Sequence, residues 1–128
     1  MTVGYAQAHD LLERLVAART RYDGDAWVAI FADEAELVLD PFAAPLAGHN
    51  ALRAYLLRAG GTELDYDLVV ERHWVSGSTI LASWHAGWMR RDNGAMIRQA
   101  GFLSAEVGED GRIGRLKQWT VSREHPSG

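Results

Sequence analysis

The alternation of apolar and polar positions changes period near the middle of the chain. Between residues 9 and 22, Leu11, Leu12, Leu15, Val16 and Arg19 recur at helical spacing. The apolar members share one face, which predicts an amphipathic helix. Asp23-Gly24-Asp25 interrupts that pattern. Asp25 is suited to cap a short second helix carrying Trp27, Ile30 and Phe31 at i, i+3 and i+4. Glu36-Leu37-Val38-Leu39-Asp40 reads as a short strand stopped by Pro41. Gly48-His49-Asn50 is a turn and cap before a third helix. Ala51, Leu52, Tyr55 and Leu56 form one face of that helix, and Gly60-Gly61 is expected to end it.

After Gly61 the period becomes two. Segments 66–75, 79–91, 95–107 and 112–123 read as strands, separated by turn-forming residues. Asn93-Gly94 and Asp110-Gly111 are hairpin signals, because these pairs tolerate the positive φ angles of tight turns. Two of the strands exceed the usual length of about five or six residues. Long strands joined in a meander twist and curl. A curled sheet with helices at one side encloses a hollow where a ligand can sit. The pattern therefore predicts an α+β fold with a curved antiparallel sheet. At 128 residues the expectation is a single domain over residues 1–128.

Composition narrows the chemistry. The chain has no cysteine, which removes disulfides and thiol catalysis and fits a cytoplasmic setting. No apolar run is long enough to span a bilayer, and residues 1–10 lack a signal-peptide layout. The net charge of −4, with both signs mixed along the chain, argues against nucleic acid as a partner. His9, His49, His73, His85 and His125 are scattered without metal-ligand spacing, so no metal is expected. Neither a phosphate-cradling glycine loop nor a Gly-x-Ser-x-Gly elbow occurs, and no cofactor is expected. Five tryptophans stand out: Trp27, Trp74, Trp84, Trp88 and Trp119. Such side chains fill a core, form a subunit interface or wall an aromatic pocket.

Several phrases carry a family likeness. They are Tyr22-Asp23-Gly24-Asp25-Ala26-Trp27, Ile30-Phe31-Ala32-Asp33-Glu34-Ala35, Asp40-Pro41, Gly48, and Ala51-Leu52-Arg53-Ala54-Tyr55. With the order of elements, they resemble the nuclear transport factor 2-like superfamily from about His9 to Arg123. The likeness is to its SnoaL-like branch, which includes polyketide cyclases and is similar to steroid Δ-isomerase. It implies a cone-shaped barrel in which N-terminal helices close the curved sheet. It also implies that Asp40, a carboxylate before proline on the first strand, is a cavity base that shuttles a proton beside a carbonyl. The stretch before Asp40 is one residue longer than the isomerase pattern. A one-residue slip would turn Asp40 outward and Leu39 inward, leaving Asp40 to end the strand and bond the following turn. Leu15 and Leu103 stand where the isomerase pattern has its oxyanion-stabilising tyrosine and acid, which argues against that mechanism. Tyr22-Asp23 with Trp27 resembles scytalone dehydratase, although His73 and His85 do not match that enzyme's histidines. Limonene epoxide hydrolase relatives need paired acids flanking an arginine, and Arg90 has no such pair.

Parity extends this resemblance into a list of cavity residues. If Leu103 faces inward, Gly101 and Gln99 follow, as do Trp84, Ala86, Trp88 and Arg90 on the neighbouring strand. On the last strand the same rule selects Leu116, Gln118 and Thr120. Trp84 and Trp88 would hold a flat ring, with Gln99 and Gln118 as polar handles or as partners for bulged backbone. Tyr55 and the first helix would close one side. The opposite parity sends His85, Arg98, Phe102 and Trp119 to the outer face, where a homodimer is expected. The resulting expectation is cofactor-free proton transfer on a hydrophobic cyclic or aromatic carbonyl compound: cyclisation, isomerisation or dehydration. The alternative is a non-catalytic small-molecule-binding or dimerisation module.

Overall fold

The computed structural model describes residues 2–127. In chain order the elements are α1 (Tyr5–Arg21), α2 (Gly24–Ala29), β1 (Phe31–Val38), β2 (Leu46–Ala47) and α3 (His49–Thr62). Four long strands follow: β3 (Glu63–Ser76), β4 (Thr79–Arg90), β5 (Met96–Val107) and β6 (Ile113–His125). They form a six-stranded sheet in the order β2-β1-β6-β5-β4-β3. All neighbours are antiparallel except β1 and β6, which run parallel. The sheet curls around the helices without closing, since β2 and β3 remain as its edges.

The core lies between the helices and the inner sheet face. Leu11, Leu12 and Leu15 of α1 and Leu52 and Leu56 of α3 are buried there with Ile80, Ala82 and Leu116. Trp27 anchors α2 with an edge-on contact to Phe31, ring centroids 5.0 Å apart. Its indole Nε1 donates to the Leu52 carbonyl at 3.1 Å, which removes the penalty of burying that N–H.

Local expectations shift in three places. Asp23, not Asp25, caps α2, its side chain accepting from the Ala26 N–H at 3.1 Å. Asp25 lies in the first turn instead and pairs with Arg53. Phe31 belongs to β1 rather than the short helix, because it enters register with Ile113 of β6. Gly60 and Gly61 do not end α3, which runs on to Thr62. A Cβ at Gly60 would stand 3.3 Å from Tyr22 Cδ1, so this glycine allows close packing against the tyrosine ring.

Inner and outer faces alternate along β4 and β5, and along β6 from Arg115 onward, after a register break that leaves both Ile113 and Leu116 buried. Trp84 and Ala86 are buried on β4, Ile97 and Leu103 on β5, and Leu116 on β6. Strand β3 departs from this simplicity, with register breaks between Leu64 and Asp67 and between Val70 and Arg72. Asp65 takes a φ of 56° at the first break. The extra residue changes the parity, so Glu63 and Tyr66 point inward together.

Candidate functional site

A cavity of about 340 Å³ lies between the inner sheet face and α1, α2 and α3. That is at the lower end of small-molecule pockets, about 300–1,000 Å³. At its edge Leu39, Thr120 and Ser122 are exposed, whereas Leu15, Trp27, Leu37 and Trp84 are buried. The cavity therefore opens beside the C-terminal ends of β1 and β6.

Trp84, Trp88, Gln99, Gln118, Tyr55 and Leu103 all border this one space. Trp88 packs against Tyr66 with ring centroids 5.5 Å apart, forming an aromatic wall. The Gln99 Nε2 donates to Ser122 Oγ at 2.8 Å, so this amide is oriented by its cross-strand partner rather than by a bulge. Gly101 allows the close approach behind the pocket. A Cβ there would fall 2.0 Å from the Trp119 carbonyl oxygen and 2.9 Å from Trp84 Cζ2.

Asp40 is not in the cavity. It lies on the exposed turn after β1, in a surface groove that it shares with Pro41, Phe102 and Trp119. Its Oδ1 accepts from the Phe42 N–H at 2.9 Å and its carbonyl accepts from Ala43 N–H at 3.1 Å. Leu39 takes the inward place. The one-residue slip has turned the carboxylate away, so Asp40 is not among the residues that border this cavity. Arg90 is also corrected: it is exposed at the end of β4 and paired with Asp92 and Glu124.

The charged group that does border the cavity was not singled out from sequence. Arg19 on α1 and Glu63 at the start of β3 are each only 6% exposed. Arg19 Nη1 donates to Glu63 Oε1 at 3.1 Å and Nη2 to Oε2 at 2.9 Å, a bidentate ion pair. The Tyr22 hydroxyl donates to the same Oε1 at 2.9 Å. The guanidinium lies over the Tyr66 ring, 4.0 Å from its centroid. Burial acts to lower the Arg19 pKa, but the hydrogen bond to Glu63 and nearby negative charge raise it overall, so the side chain stays cationic. Desolvation, then the bond to Glu63, pushes the Tyr22 phenol up to about 12. Tyr66 is also raised, chiefly by burial, with Arg19 pulling the other way. A signal for Arg19 existed: it continues the apolar face of α1, where a cation needs a buried partner. Nothing comparable marked Glu63.

Among the described residues, no three His, Asp or Glu side chains converge in a way that could hold a metal ion. No described helix is long and apolar enough to cross a membrane. On the outer sheet face His85 and Arg98 are exposed, and Phe102 and Trp119 are 50% and 46% exposed. Trp74 stacks on Phe102 at 6.1 Å on that face.

With the fold and cavity in view, comparison with known proteins is informative. Residues 12–116 match the SnoaL-like domain family. The chain belongs to that family. No curated protein is significantly similar to it in sequence. Among solved structures, this SnoaL-like chain resembles an NTF2-like protein from Burkholderia xenovorans LB400, with 16% identity, 93% and 92% of the two chains covered and a TM-score of 0.74. It also resembles a protein from Jannaschia sp. CCS1 assigned as a SnoaL-like polyketide cyclase, at 14% identity, 90% and 85% coverage and TM-score 0.79. A third neighbour is a computationally designed 17-OHP binder, at 16% identity, 91% and 97% coverage and TM-score 0.75. At these identities the likeness is one of fold, and fold leaves chemistry open.

Proposed function

We propose that this SnoaL-like domain is a binding module for a flat, partly polar, hydrophobic small molecule, held between Trp84 and Trp88 in the cytoplasm. The observation that carries this reading is the state of the cavity's carboxylate. Among the described lining residues Glu63 is the one acid, and it accepts three hydrogen bonds, two from Arg19 and one from Tyr22. To take a substrate proton it would first have to release one of those donors. Asp40, the base that cyclisation, isomerisation or dehydration would have used, faces away. What remains is a pocket with aromatic walls and amide handles, the ordinary equipment of recognition. The designed neighbour, a 17-OHP binder, lends support that this backbone shape serves binding. Fluorenone, a flat cyclic ketone, is a suitable probe. It should bind with tryptophan quenching, and Trp88→Ala should weaken binding about tenfold; 2-tetralone, a cyclic ketone whose α-hydrogens a cavity base could move, should exchange them in heavy water no faster than in buffer alone. Accelerated α-hydrogen exchange of the tetralone at a rate abolished by Trp88→Ala would replace the binding reading with an enzymatic one.

The outer sheet face supports a second role, pairing with another copy of the chain. Trp119, Phe102 and Val121 are exposed together there, with His85 beside them, and a large exposed apolar patch is unusual on a monomer. Sedimentation at micromolar concentration should give a species of twice 14.1 kDa. A single species at the monomer mass would refute it.

A further inference from the structure

Arg19 is held on two sides and left free on a third. Its guanidinium face rests on Tyr66, and its two terminal nitrogens grip Glu63. A guanidinium has five N–H donors, and the hydrogen bonds Arg19 makes among the described residues use only two of them. Its small accessible remainder lies on the cavity wall. Trp84 borders the same space and is 4% exposed; among the described residues its buried Nε1 has no partner. Buried donors without acceptors are unfavourable unless something else supplies the acceptor. On the acceptor side, Glu63 is already occupied by Arg19 and Tyr22. Arg19 is thus the charged donor at the cavity wall, and the carboxylate beside it is already occupied. The cavity's charge is also cancelled internally, because Glu63 neutralises Arg19.

We propose that Arg19 is the specificity-determining donor of this cavity, binding a neutral oxygen acceptor on the ligand. Glu63 and Tyr22 are the positioning residues that aim the guanidinium and cancel its charge. The inference rests on the small-molecule reading above. It adds that the pocket distinguishes a ketone from the matching hydrocarbon, and either from a carboxylate. A carboxylate would have to sit beside Glu63, and like charges at close range repel in a desolvated site.

Fluorene, fluorenone and a fluorene carboxylate are probes of nearly one shape with different polar groups. Isothermal titration with the full chain should show fluorenone binding about tenfold tighter than fluorene, the usual scale for one charge-assisted hydrogen bond. The carboxylate should bind more weakly than fluorenone. The carbonyl stretching band of bound fluorenone should move to lower wavenumber than in an apolar solvent. In Arg19→Met/Glu63→Met, which removes the pair without orphaning a charge, ketone and hydrocarbon should bind alike and the band shift should shrink. Glu63→Gln keeps the shape but leaves Arg19 uncompensated, so the carboxylate should gain about tenfold relative to fluorenone. Three results overturn the proposal: equal binding of fluorene and fluorenone by the wild type, an unchanged ketone preference in the double variant, or an unchanged carboxylate preference in Glu63→Gln. Equal binding leaves the small-molecule reading intact, whereas no binding of either probe removes both.

Discussion

Breaking the Arg19–Glu63 pair from one side should be far more damaging than removing it whole. Both residues are 6% exposed, and their two contacts are 3.1 and 2.9 Å. Glu63→Met leaves a buried guanidinium with no counter-charge and the Tyr22 hydroxyl with no acceptor. Removing one partner of a buried pair costs about 3–5 kcal/mol. Against a domain stability of about 5–15 kcal/mol, that is a large fraction. It corresponds to a fall in Tm of roughly 10–20 °C for a domain of this size. Arg19→Met should fall in the same range, since it leaves the carboxylate buried without a counter-charge, held only by the Tyr22 hydroxyl. The double variant behaves differently. Replacing a buried pair by apolar groups of similar volume is often neutral, and the Tyr22 hydroxyl then loses about 1 kcal/mol. The double variant should therefore lie within about 2 kcal/mol of wild type and above either single variant.

Urea unfolding, followed by circular dichroism and by tryptophan fluorescence, gives all four corners of this cycle. The measurement should be repeated at low and high salt. A buried pair is weakly screened, whereas the exposed Arg53–Asp25 pair is open to screening. The reasoning fails if each single variant lies within about 1 kcal/mol of wild type, or if the double variant loses the sum of the two.

Other positions make sharper local tests. Gly101→Ala places a methyl group 2.0 Å from the Trp119 carbonyl oxygen, and overpacking of this kind should cost about 1–3 kcal/mol or more; an unchanged urea midpoint would contradict the tight approach of β5 and β6. Asp40→Asn should alter stability by less than about 0.5 kcal/mol and leave fluorenone binding unchanged, because the amide oxygen can still accept from Phe42 N–H; a weakened titration would return Asp40 to the site. Tyr22 has its pKa raised from 10.0 to about 12, so its contribution to stability is full below pH 10 and is lost as pH rises through about 12. Tyr22→Phe should show a smaller loss of stability over that window in urea titrations, and identical pH profiles for the two proteins would refute the assignment.

Much of the fold was legible because its long elements have clean periods. The 3.6-residue spacing of Leu11, Leu12 and Leu15 marks α1, and period-two alternation marks β4 and β5 and, past its first residues, β6. Trp84, Trp88, Gln99, Leu103 and Gln118 came from one parity rule applied to those regular strands, and all five border the cavity. Element ends were less legible, because tertiary contacts decide them. Gly60 reads as a helix stop, yet its missing side chain lets α3 pack on Tyr22 and continue. Asp23 and Asp25 are equivalent cap candidates by type, and only the observed bond to Ala26 N–H separates them.

The residues that sequence reasoning misplaced or missed share one physical cause. Along a strand, a single inserted residue exchanges the inner and outer faces. At the end of β1 that exchange puts Leu39 in the cavity and Asp40 outside it. In β3 the break at Asp65 lets Glu63 and Tyr66 face inward on the same strand, which an unbroken alternation forbids. Those two side chains are the ones that hold Arg19, from the edge and from the face respectively. The regular strands thus supply the aromatic walls, whereas the irregular residues determine the cavity's charge. A residue such as Asp65, at a φ of 56° where glycine is easier to accommodate, then has a consequence beyond its own turn. Deleting Asp65 to restore simple alternation would turn either Glu63 or Tyr66 outward and leave Arg19 without half of its support.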